Sequence, residues 1–328
     1  MPQFKLVTAD ANPRTLLLLE DQELDALIFM RMLKSCWPEP IQTYHVREAH
    51  EAMKFLNANT CDIVVADLNL PDLHGIETIQ RLRPYAPDSA FVVLTGLDDS
   101  NIKEEAKKLG VSDFVAKDTL DRDLLREVLS GALEQQQIRE RVLFLAHYDP
   151  LTVLANRRLF QERLNRAVRN DHRNPKQLGI MLVDLDRFAH INNSLGHDAG
   201  DFVLQVIARR LKACLRDSDT AARMGSDQFA LLTHTVSANA MPAIAERVLN
   251  ACRKPITLHE HTLTVTASLG GALMEPAISD AAQLLARAKD ALSLAKKEGD
   301  RMEIHLPPPM PSMDPAPPRP VLVEAAPN

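Results

Sequence analysis

Short apolar runs alternate with amphipathic stretches over the first part of the chain, and this alternation predicts its fold. The runs lie at residues 15–19, 41–46, 63–66, 91–94 and 113–116. Between them, apolar residues recur every three or four positions, which is the spacing of one helix face. Strands that alternate with helices form a parallel sheet with helices on both sides. We therefore expect a doubly wound α/β domain with five parallel strands.

The helical pattern of residues 120–146 contains no proline and is longer than one small domain requires. We expect its second half to project as a linker; a final packing helix followed by a loop is the alternative. Farther along, strand patterns at 178–185, 220–223, 229–233 and 262–273 mix with helical patterns at 157–169, 202–215, 240–253 and 281–298. This mixture predicts an α+β domain with an antiparallel hairpin at its centre.

These patterns divide the chain into five segments. They are an N-terminal extension (1–13), the α/β domain (14–135), a helical linker (136–147), the α+β domain (148–306) and a tail (307–328). The tail is rich in proline and poor in charge. Such a composition cannot bury enough apolar surface to fold, so we expect a disordered extension.

The composition excludes several classes of protein. The 328 residues carry a net charge of −6 and only 4% aromatic side chains, which argues against binding to nucleic acid or anionic lipid. No apolar run approaches the ~20 residues of a membrane span, and residues 1–13 lack the apolar stretch of a signal peptide. The four cysteines form no C-x-x-C pair, as in reduced proteins: Cys36, Cys61, Cys214 and Cys252. We therefore expect a cytoplasmic protein.

Acidic residues end two of the strands predicted for the first domain. Glu20 and Asp21 follow the first strand, and Asp67 ends the third. In a doubly wound sheet, ligands bind at the carboxyl ends of the strands. Three carboxylates at one edge repel one another unless a cation lies among them, and oxygen ligands favour Mg²⁺. Thr95 and Lys117 end the next two strands and can hold a phosphoryl group; each residue alone has an ordinary structural explanation.

Several segments of this domain resemble a response-regulator receiver domain of flavodoxin-like fold: 17–21 (LLLED), 67–75 (DLNLPDLHG), 94–96 (LTG) and 114–117 (FVAK). The resemblance implies that a histidine kinase or phosphotransfer protein phosphorylates the domain. It assigns the roles as follows: phosphoacceptor Asp67, Mg²⁺ ligands Glu20, Asp21 and Asp67, and phosphoryl contacts from Thr95 and Lys117. Phe114 is the rotating aromatic residue of the family's switch. Asp118 stands where the family usually has proline.

A second group of acidic residues lies in the α+β domain. Asp184 and Asp186 follow an apolar strand pattern, and Asp227 follows the turn residues Gly225 and Ser226. Two carboxylates at adjacent strand ends are a standard means of holding metal ions for phosphoryl transfer. Taken alone, these residues are better explained as ordinary strand-end and hairpin aspartates.

Other segments of the same domain make it similar to the GGDEF (diguanylate cyclase) family: 149–160 (DPLTVLANRRLF), 184–192 (DLDRFAHIN), 196–201 (GHDAGD), 223–229 (RMGSDQF), 267–270 (ASLG) and 295–299 (AKKEG). The resemblance implies a polymerase-palm-like fold that joins two GTP molecules into cyclic di-GMP, with one GTP bound to each protomer of a homodimer. It implies metal ligands and nucleotide contacts at these positions: Asp184, Leu185 (carbonyl) and Asp227 for metal; Asn192 and Asp201 for guanine; Lys296, Gly225 and Ser226 for the phosphates.

The chain departs from the family where the phosphates bind. Ser226 places a Cβ where the family's second glycine lets the backbone approach the triphosphate, a position where we expect positive φ. Gln228 lacks the charge of the usual glutamate. Ala189 and Asp300 replace a lysine and an arginine, and Arg301 lies one residue away as a partial substitute. Each lost charge-assisted contact costs about 1.5–3 kcal/mol, or roughly 10- to 100-fold in rate. We therefore expect weak or absent turnover.

Residues 216–219 (RDSD) fit the inhibitory R-x-x-D site of the same family. The arginine fork suits guanine or phosphate, and the aspartate can accept from a guanine edge. R-x-x-D alone is a weak pattern that more often marks a solvated loop. Its position favours cyclic di-GMP binding by Arg216 and Asp219, with Arg247 assisting from a neighbouring helix.

Three hypotheses from different classes remain open. The first is a phosphorylation-dependent regulator of cyclic di-GMP signalling whose GGDEF domain binds GTP or cyclic di-GMP but turns over poorly. The second is an active diguanylate cyclase that phosphorylation and dimerisation switch on. The third is a structural dimer module with two vestigial pockets. Two observations argue against this third hypothesis: the receiver residues are intact, and so are Asn192 and Asp201 of the α+β domain. GTP turnover with and without a phosphoryl mimic separates the first two.

Overall fold

The computed structural model describes residues 13–96, 100–171, 178–234, 237–258, 261–275, 278 and 280–306. The chain divides into two compact units, Met1–Phe144 and Leu145–Asn328. The proline-rich tail and residues 1–12 of the expected N-terminal extension lie outside the described residues. Within the described part, no helix has the length and apolar character that crossing a membrane requires.

Among the described residues, the first unit contains five strands and four complete helices, and a fifth helix begins in it and ends three residues beyond Phe144. The strands are β1 (Arg14–Leu19), β2 (Ile41–Val46), β3 (Ile63–Asp67), β4 (Ala90–Thr95) and β5 (Asp113–Ala116). The helices are α1 (Glu23–Cys36), α2 (Ala49–Ala58), α3 (Ile76–Leu82), α4 (Ser100–Lys108) and α5 (Arg122–His147), with short 3-10 turns at Arg83–Tyr85 and Lys117–Thr119.

The five strands form one parallel sheet in the order β2-β1-β3-β4-β5. This arrangement confirms the doubly wound α/β fold that the alternation of apolar runs predicted. Because β1 pairs directly with β3, the carboxyl ends of both strands lie at the same edge of the sheet. The fold therefore brings the acidic residues that follow these strands close together.

Alternate residues of the central strands face opposite sides of the sheet and form two separate cores. Leu16 packs with residues of α1 and α5 on one side. Leu17 packs with residues of α2, α3 and α4 on the other. All residues of β3 are buried, which explains why its sequence is apolar without alternation.

The second unit contains seven strands and five further helices among the described residues. The strands are β6 (Gly179–Leu185), β7 (Thr220–Arg223), β8 (Gln228–Thr233), β9 (Ile256–Leu258), β10 (His261–Leu263), β11 (Ala267–Leu273) and β12 (Met302–His305). The helices are α6 (Arg157–Asp171), α7 (Phe188–Leu195), α8 (His197–Ala213), α9 (Ala240–Arg253) and α10 (Ala281–Ala295).

The main sheet of the second unit has the order β12-β11-β6-β8-β7, and β9 pairs with β10 in a separate ribbon. The α+β class is confirmed, but the central position predicted for the hairpin is wrong. The hairpin formed by β7 and β8 lies at one edge of the sheet, and β6 is the central strand. The strand predicted over 262–273 is two strands, because β10 turns back on β9 while β11 pairs with β6. Neither pairing partner can be deduced from the local apolar pattern.

Close packing of β11 against α10 depends on one glycine. A Cβ added at Gly270 would overlap with the backbone nitrogen of Leu292 and the carbonyl oxygen of Ala288. Both of these atoms belong to the backbone of α10, so neither can move without shifting the helix. The glycine therefore sets the distance between this helix and the sheet.

We predict that Gly270→Ala lowers the free energy of unfolding of the second unit by about 3 kcal/mol, because overpacking against backbone cannot be relieved by a rotamer change. Urea unfolding monitored by circular dichroism measures the change. Gly225→Ala is the matched control, since an added Cβ there meets no atom within 4 Å. The fluorescence of Trp37, the single tryptophan, reports on the first unit and should keep its midpoint. An unchanged circular dichroism transition would contradict the packing argument.

Candidate functional site

A buried acidic cluster lies at the carboxyl edge of the first sheet. The carboxylate ligand atoms of Glu20, Asp21 and Asp67 all lie within 4.8 Å of one another. Lys117 follows β5 and reaches into the cluster, with its Nζ 2.7 Å from Asp67 Oδ2 and 2.8 Å from Glu20 Oε1. The structure therefore brings together four of the residues that the sequence places at strand ends.

The charges in this pocket are strongly coupled. Burial raises the pKa of Glu20, and its hydrogen bond with Lys117 opposes the rise without cancelling it. Burial by itself lowers the pKa of Lys117, but hydrogen bonds with Asp67 and Glu20 outweigh burial and raise it. Lys117 therefore remains a cation. Lys117 contacts both oxygens of Glu20, with its Nζ 2.8 Å from Oε1 and 2.7 Å from the buried Oε2. Such an oxygen-rich donor set fits a hard cation such as Mg²⁺.

The remaining residues expected at this pocket lie beside it. Thr95 ends β4 and is paired in register with Ala116, the residue before Lys117. Phe114 is half-buried in β5 and packs against the core on one side of the sheet. Sequence reasoning missed Asp25, whose Oδ2 lies 3.4 Å from Lys117 Nζ. Its position in the first turn of α1, four residues after Asp21, was the available signal.

In the second unit, the acidic residues meet where β6 ends beside the β7–β8 hairpin. Asp184 is buried and lies opposite Gln228 across the paired strands. The next residue, Leu185, donates its backbone N–H to the carbonyl oxygen of Asp227 at 3.2 Å. Lys296 Nζ lies 2.8 Å from Asp184 Oδ1. The structure thus places the backbone of Asp227 next to the end of β6 that carries Asp184, and pairs a lysine with Asp184.

Arg223 holds the turn that carries the signature residues. It donates hydrogen bonds to the carbonyl oxygens of Gly225 and Ser226, at 3.1 Å and 2.8 Å. The same guanidinium forms a half-buried ion pair with Asp149 at 3.2 Å. Asp149 also accepts from the backbone N–H and hydroxyl of Thr152. The segment that opens the unit is therefore tied to the signature turn, a role that the sequence did not reveal.

The backbone of the signature turn differs from the expectation. Outside glycine, the described residues with positive φ are Val153, Arg187 and Asp300, so Ser226 has an ordinary φ. Gly225 does not have positive φ either. The expectation of positive φ at this position is wrong, because the turn is closed by Arg223 and not by a left-handed residue. Ser226 is accommodated without backbone strain.

Asp186 and Asp300 belong to a structural network. Asp186 accepts hydrogen bonds from the hydroxyls of Thr266 and Ser268, at 2.8 Å and 2.7 Å, and from the backbone N–H of Asp300 at 2.9 Å. The Asp300 carboxylate pairs with Arg253 Nε at 2.8 Å. Asp300, which stands where the family has an arginine, is therefore an anion with its own counter-ion, Arg253.

Arg301, the suggested substitute for the missing arginine, has other partners. Its guanidinium forms ion pairs with Glu298 and Glu303. Ala189 lies in α7 and supplies no charge. Lys296, by contrast, lies directly against Asp184 of this pocket.

Asn192 and Asp201 lie on the packed helices α7 and α8. Asn192 Oδ1 is buried and has no hydrogen-bond partner among the described residues. A Cβ on Gly200 would overlap with this oxygen, so the glycine is what leaves room for the asparagine side chain. An unpaired buried acceptor is costly, and a ligand N–H that pairs with it recovers that cost.

The R-x-x-D segment is a well-formed turn. The carboxylate of Asp219 accepts from the backbone N–H groups of Arg216 and His234, at 3.1 Å and 3.0 Å. Arg216 itself is exposed. Arg247 donates from α9 to the carbonyl oxygen of Cys214 at 2.8 Å, two residues before Arg216. The three residues therefore share one surface region, with the Arg216 side chain at its exposed face.

Comparisons with known proteins agree with this division of the chain. Residues 16–130 match the response regulator receiver domain. Residues 146–302 match the diguanylate cyclase, GGDEF domain. Together the two matches cover both units of the structure.

Curated relatives match the second unit. Diguanylate cyclase TpbB of Pseudomonas aeruginosa is 37% identical over 177 residues, which are 53% of this chain and 41% of TpbB. Cyclic di-GMP phosphodiesterase NbdA of the same organism is 37% identical over 155 residues, 47% of this chain and 20% of NbdA. A solved structure of a TpbB variant from Pseudomonas aeruginosa that comprises only the GGDEF domain has 37% identity and a TM-score of 0.46, covering 48% of this chain and 94% of that one. The chain thus spans less than half of either curated relative.

Proposed function

Since the chain joins a response regulator receiver domain to a GGDEF domain, we propose that it is a phosphorylation-dependent regulator of cyclic di-GMP signalling. Residues 14–135 form the receiver, 136–147 the linker and 148–306 the GGDEF domain. The receiver part of this proposal rests on the contacts of Lys117, whose Nζ bonds to both Glu20 and Asp67 at the edge of the sheet. The observation that carries the GGDEF half is the buried, unpaired acceptor on Asn192.

The receiver takes a phosphoryl group from a histidine kinase or phosphotransfer protein. An oxygen of Asp67 forms the new bond to phosphorus as the bond to the donor histidine breaks. Glu20, Asp21 and Asp67 hold Mg²⁺, which neutralises charge on the phosphoryl oxygens when it is bound. Lys117 then exchanges its contact with the Asp67 carboxylate for a contact with a phosphoryl oxygen. Thr95 contacts a second phosphoryl oxygen from the end of β4.

We predict that acetyl phosphate, a small phosphoryl donor, phosphorylates the full chain once and only in the presence of Mg²⁺. Intact-mass measurement detects the added group. Asp67→Asn should take up none because the acceptor oxygen is lost. Asp25→Asn is the matched control: it removes a carboxylate that contacts Lys117 but is not among the three proposed Mg²⁺ ligands, and it should retain uptake. Equal uptake by Asp67→Asn would place the acceptor elsewhere.

The GGDEF domain recognises guanine through Asn192 and Asp201. The Asn192 carbonyl oxygen accepts from a guanine N–H, and the Asp201 carboxylate accepts from a second one. The exposed position of Asp201 in the first turns of α8 is consistent with access for a nucleotide. GTP and cyclic di-GMP share this base, so both are candidate ligands.

Turnover of GTP is weak or absent. Catalysis of phosphoryl transfer consists mainly of positioning and charge neutralisation. Ala189 contributes no cation, Arg301 is engaged by Glu298 and Glu303, and Lys296 is paired with Asp184. The second candidate function is an active cyclase, which the survival of both Asp184 and Asp227 favours.

We predict that the full chain treated with beryllofluoride, a phosphoryl mimic, converts GTP to cyclic di-GMP no faster than its Asp227→Asn variant. Chromatographic separation of nucleotides measures the product. The reason is that the triphosphate lacks its usual cationic contacts, each worth roughly 10- to 100-fold in rate. Product that rises with beryllofluoride and disappears in Asp227→Asn would establish the active cyclase instead.

The linker supports assembly of a homodimer. Ile138, Val142 and Leu145 are each about half exposed on α5 and recur at the four- and three-residue spacing of a coiled-coil seam. A second copy of the helix covers this stripe in a parallel pair. Such pairing brings two GGDEF domains together.

Cyclic di-GMP binds at Arg216, Asp219 and Arg247. We predict that Arg216→Ala weakens the affinity for cyclic di-GMP at least tenfold, the loss expected for a bidentate guanidinium contact. Calorimetric titration measures it. Arg209→Ala removes another exposed arginine, one that bonds only to the carbonyl oxygen of Gln205 among the described residues, and should leave the affinity unchanged. An unaltered affinity in Arg216→Ala would remove the site.

A further inference from the structure

The two residues that depart from the family signature both donate hydrogen bonds to the acidic residues of the same pocket. Ser226 Oγ lies 2.6 Å from Asp227 Oδ1. Gln228 Nε2 lies 3.4 Å from Asp184 Oδ2. Glycine has no side chain, and an ionised glutamate only accepts, so the usual signature residues cannot make these bonds. Both substitutions thus add donors to the pocket.

Lys296 contacts the second oxygen of Asp184, the one that Gln228 does not reach. Its ammonium lies 2.8 Å from Asp184 Oδ1, while the Gln228 amide faces Oδ2. Both oxygens of this buried carboxylate are therefore engaged by donors of the chain, and one donor is a cation. A divalent cation at Asp184 has to compete with these donors and to approach a like charge in a poorly solvated place.

We propose that Ser226 and Gln228 are positioning residues that satisfy the two carboxylates in place of a divalent cation, so that the pocket binds guanine nucleotide without Mg²⁺. This inference rests on the proposed recognition of guanine by Asn192 and Asp201. Those contacts pair an amide and a carboxylate with N–H groups of the base and need no metal. The pocket then holds a nucleotide without activating its phosphates, which suits a sensor.

The test compares the affinity of the full chain for GTPγS, a slowly hydrolysed GTP analogue, in EDTA and in Mg²⁺. We expect the wild-type dissociation constant to change by less than about threefold between the two buffers. The double variant Ser226→Gly with Gln228→Glu removes both donors. Its affinity should become at least about tenfold higher in Mg²⁺ than in EDTA, which corresponds to about 1.4 kcal/mol.

A third protein separates the hydroxyl of Ser226 from its Cβ. Ser226→Ala with Gln228→Glu keeps the Cβ and loses the donor, so it should gain the same Mg²⁺ dependence as the glycine-containing variant. If only the glycine-containing variant gains it, the obstacle is steric and the hydrogen-bond inference is overturned.

The outcomes for the wild type distinguish this inference from the proposed function. Binding that is more than about threefold tighter in Mg²⁺ overturns metal-independent binding and leaves guanine recognition intact. Absence of GTPγS binding in both buffers overturns guanine recognition itself. Binding of equal strength in both buffers, lost in Asn192→Ala, supports both.

Discussion

Mutual repulsion of carboxylates at strand ends is the constraint on which both candidate sites depend. Two like charges about 4 Å apart repel by about 4 kcal/mol at the effective dielectric of a protein surface. The first unit offsets this repulsion with Lys117, which bonds to both Glu20 and Asp67. The second unit uses Lys296 against Asp184. In both pockets an incoming metal ion therefore competes with a lysine for the same carboxylate oxygens.

The two units differ in what surrounds that lysine. In the receiver, three carboxylates lie within 4.8 Å of one another, and Lys117 contacts two of them, Glu20 and Asp67. A cation is the natural partner of such a group. In the second unit, Ser226 and Gln228 supply donors to the carboxylates directly. The same electrostatic problem thus has a metal-dependent solution in one domain and a hydrogen-bonded solution in the other.

Much of the fold could be predicted from the sequence because its signals are local. The apolar run of β3 and the acidic residues after β1 and β3 locate the sheet and its ligand-binding edge. The contacts that could not be predicted join residues far apart in sequence. The pairs of Arg223 with Asp149 and of Arg253 with Asp300 depend on how the hairpin and α9 pack, and no local pattern encodes that. The turn at Ser226, which has an ordinary φ, is held by a hydrogen bond from the same Arg223 to the Ser226 carbonyl oxygen.

The most direct test of this account is the metal content of the GGDEF pocket when nucleotide is bound. Crystals grown with GTPγS and Mn²⁺ report each metal by its anomalous scattering. The account predicts the guanine base against Asn192 and Asp201, one Mn²⁺ among Glu20, Asp21 and Asp67, and no anomalous peak at Asp184 or Asp227. Two Mn²⁺ ions held between the triphosphate and these two aspartates would contradict it.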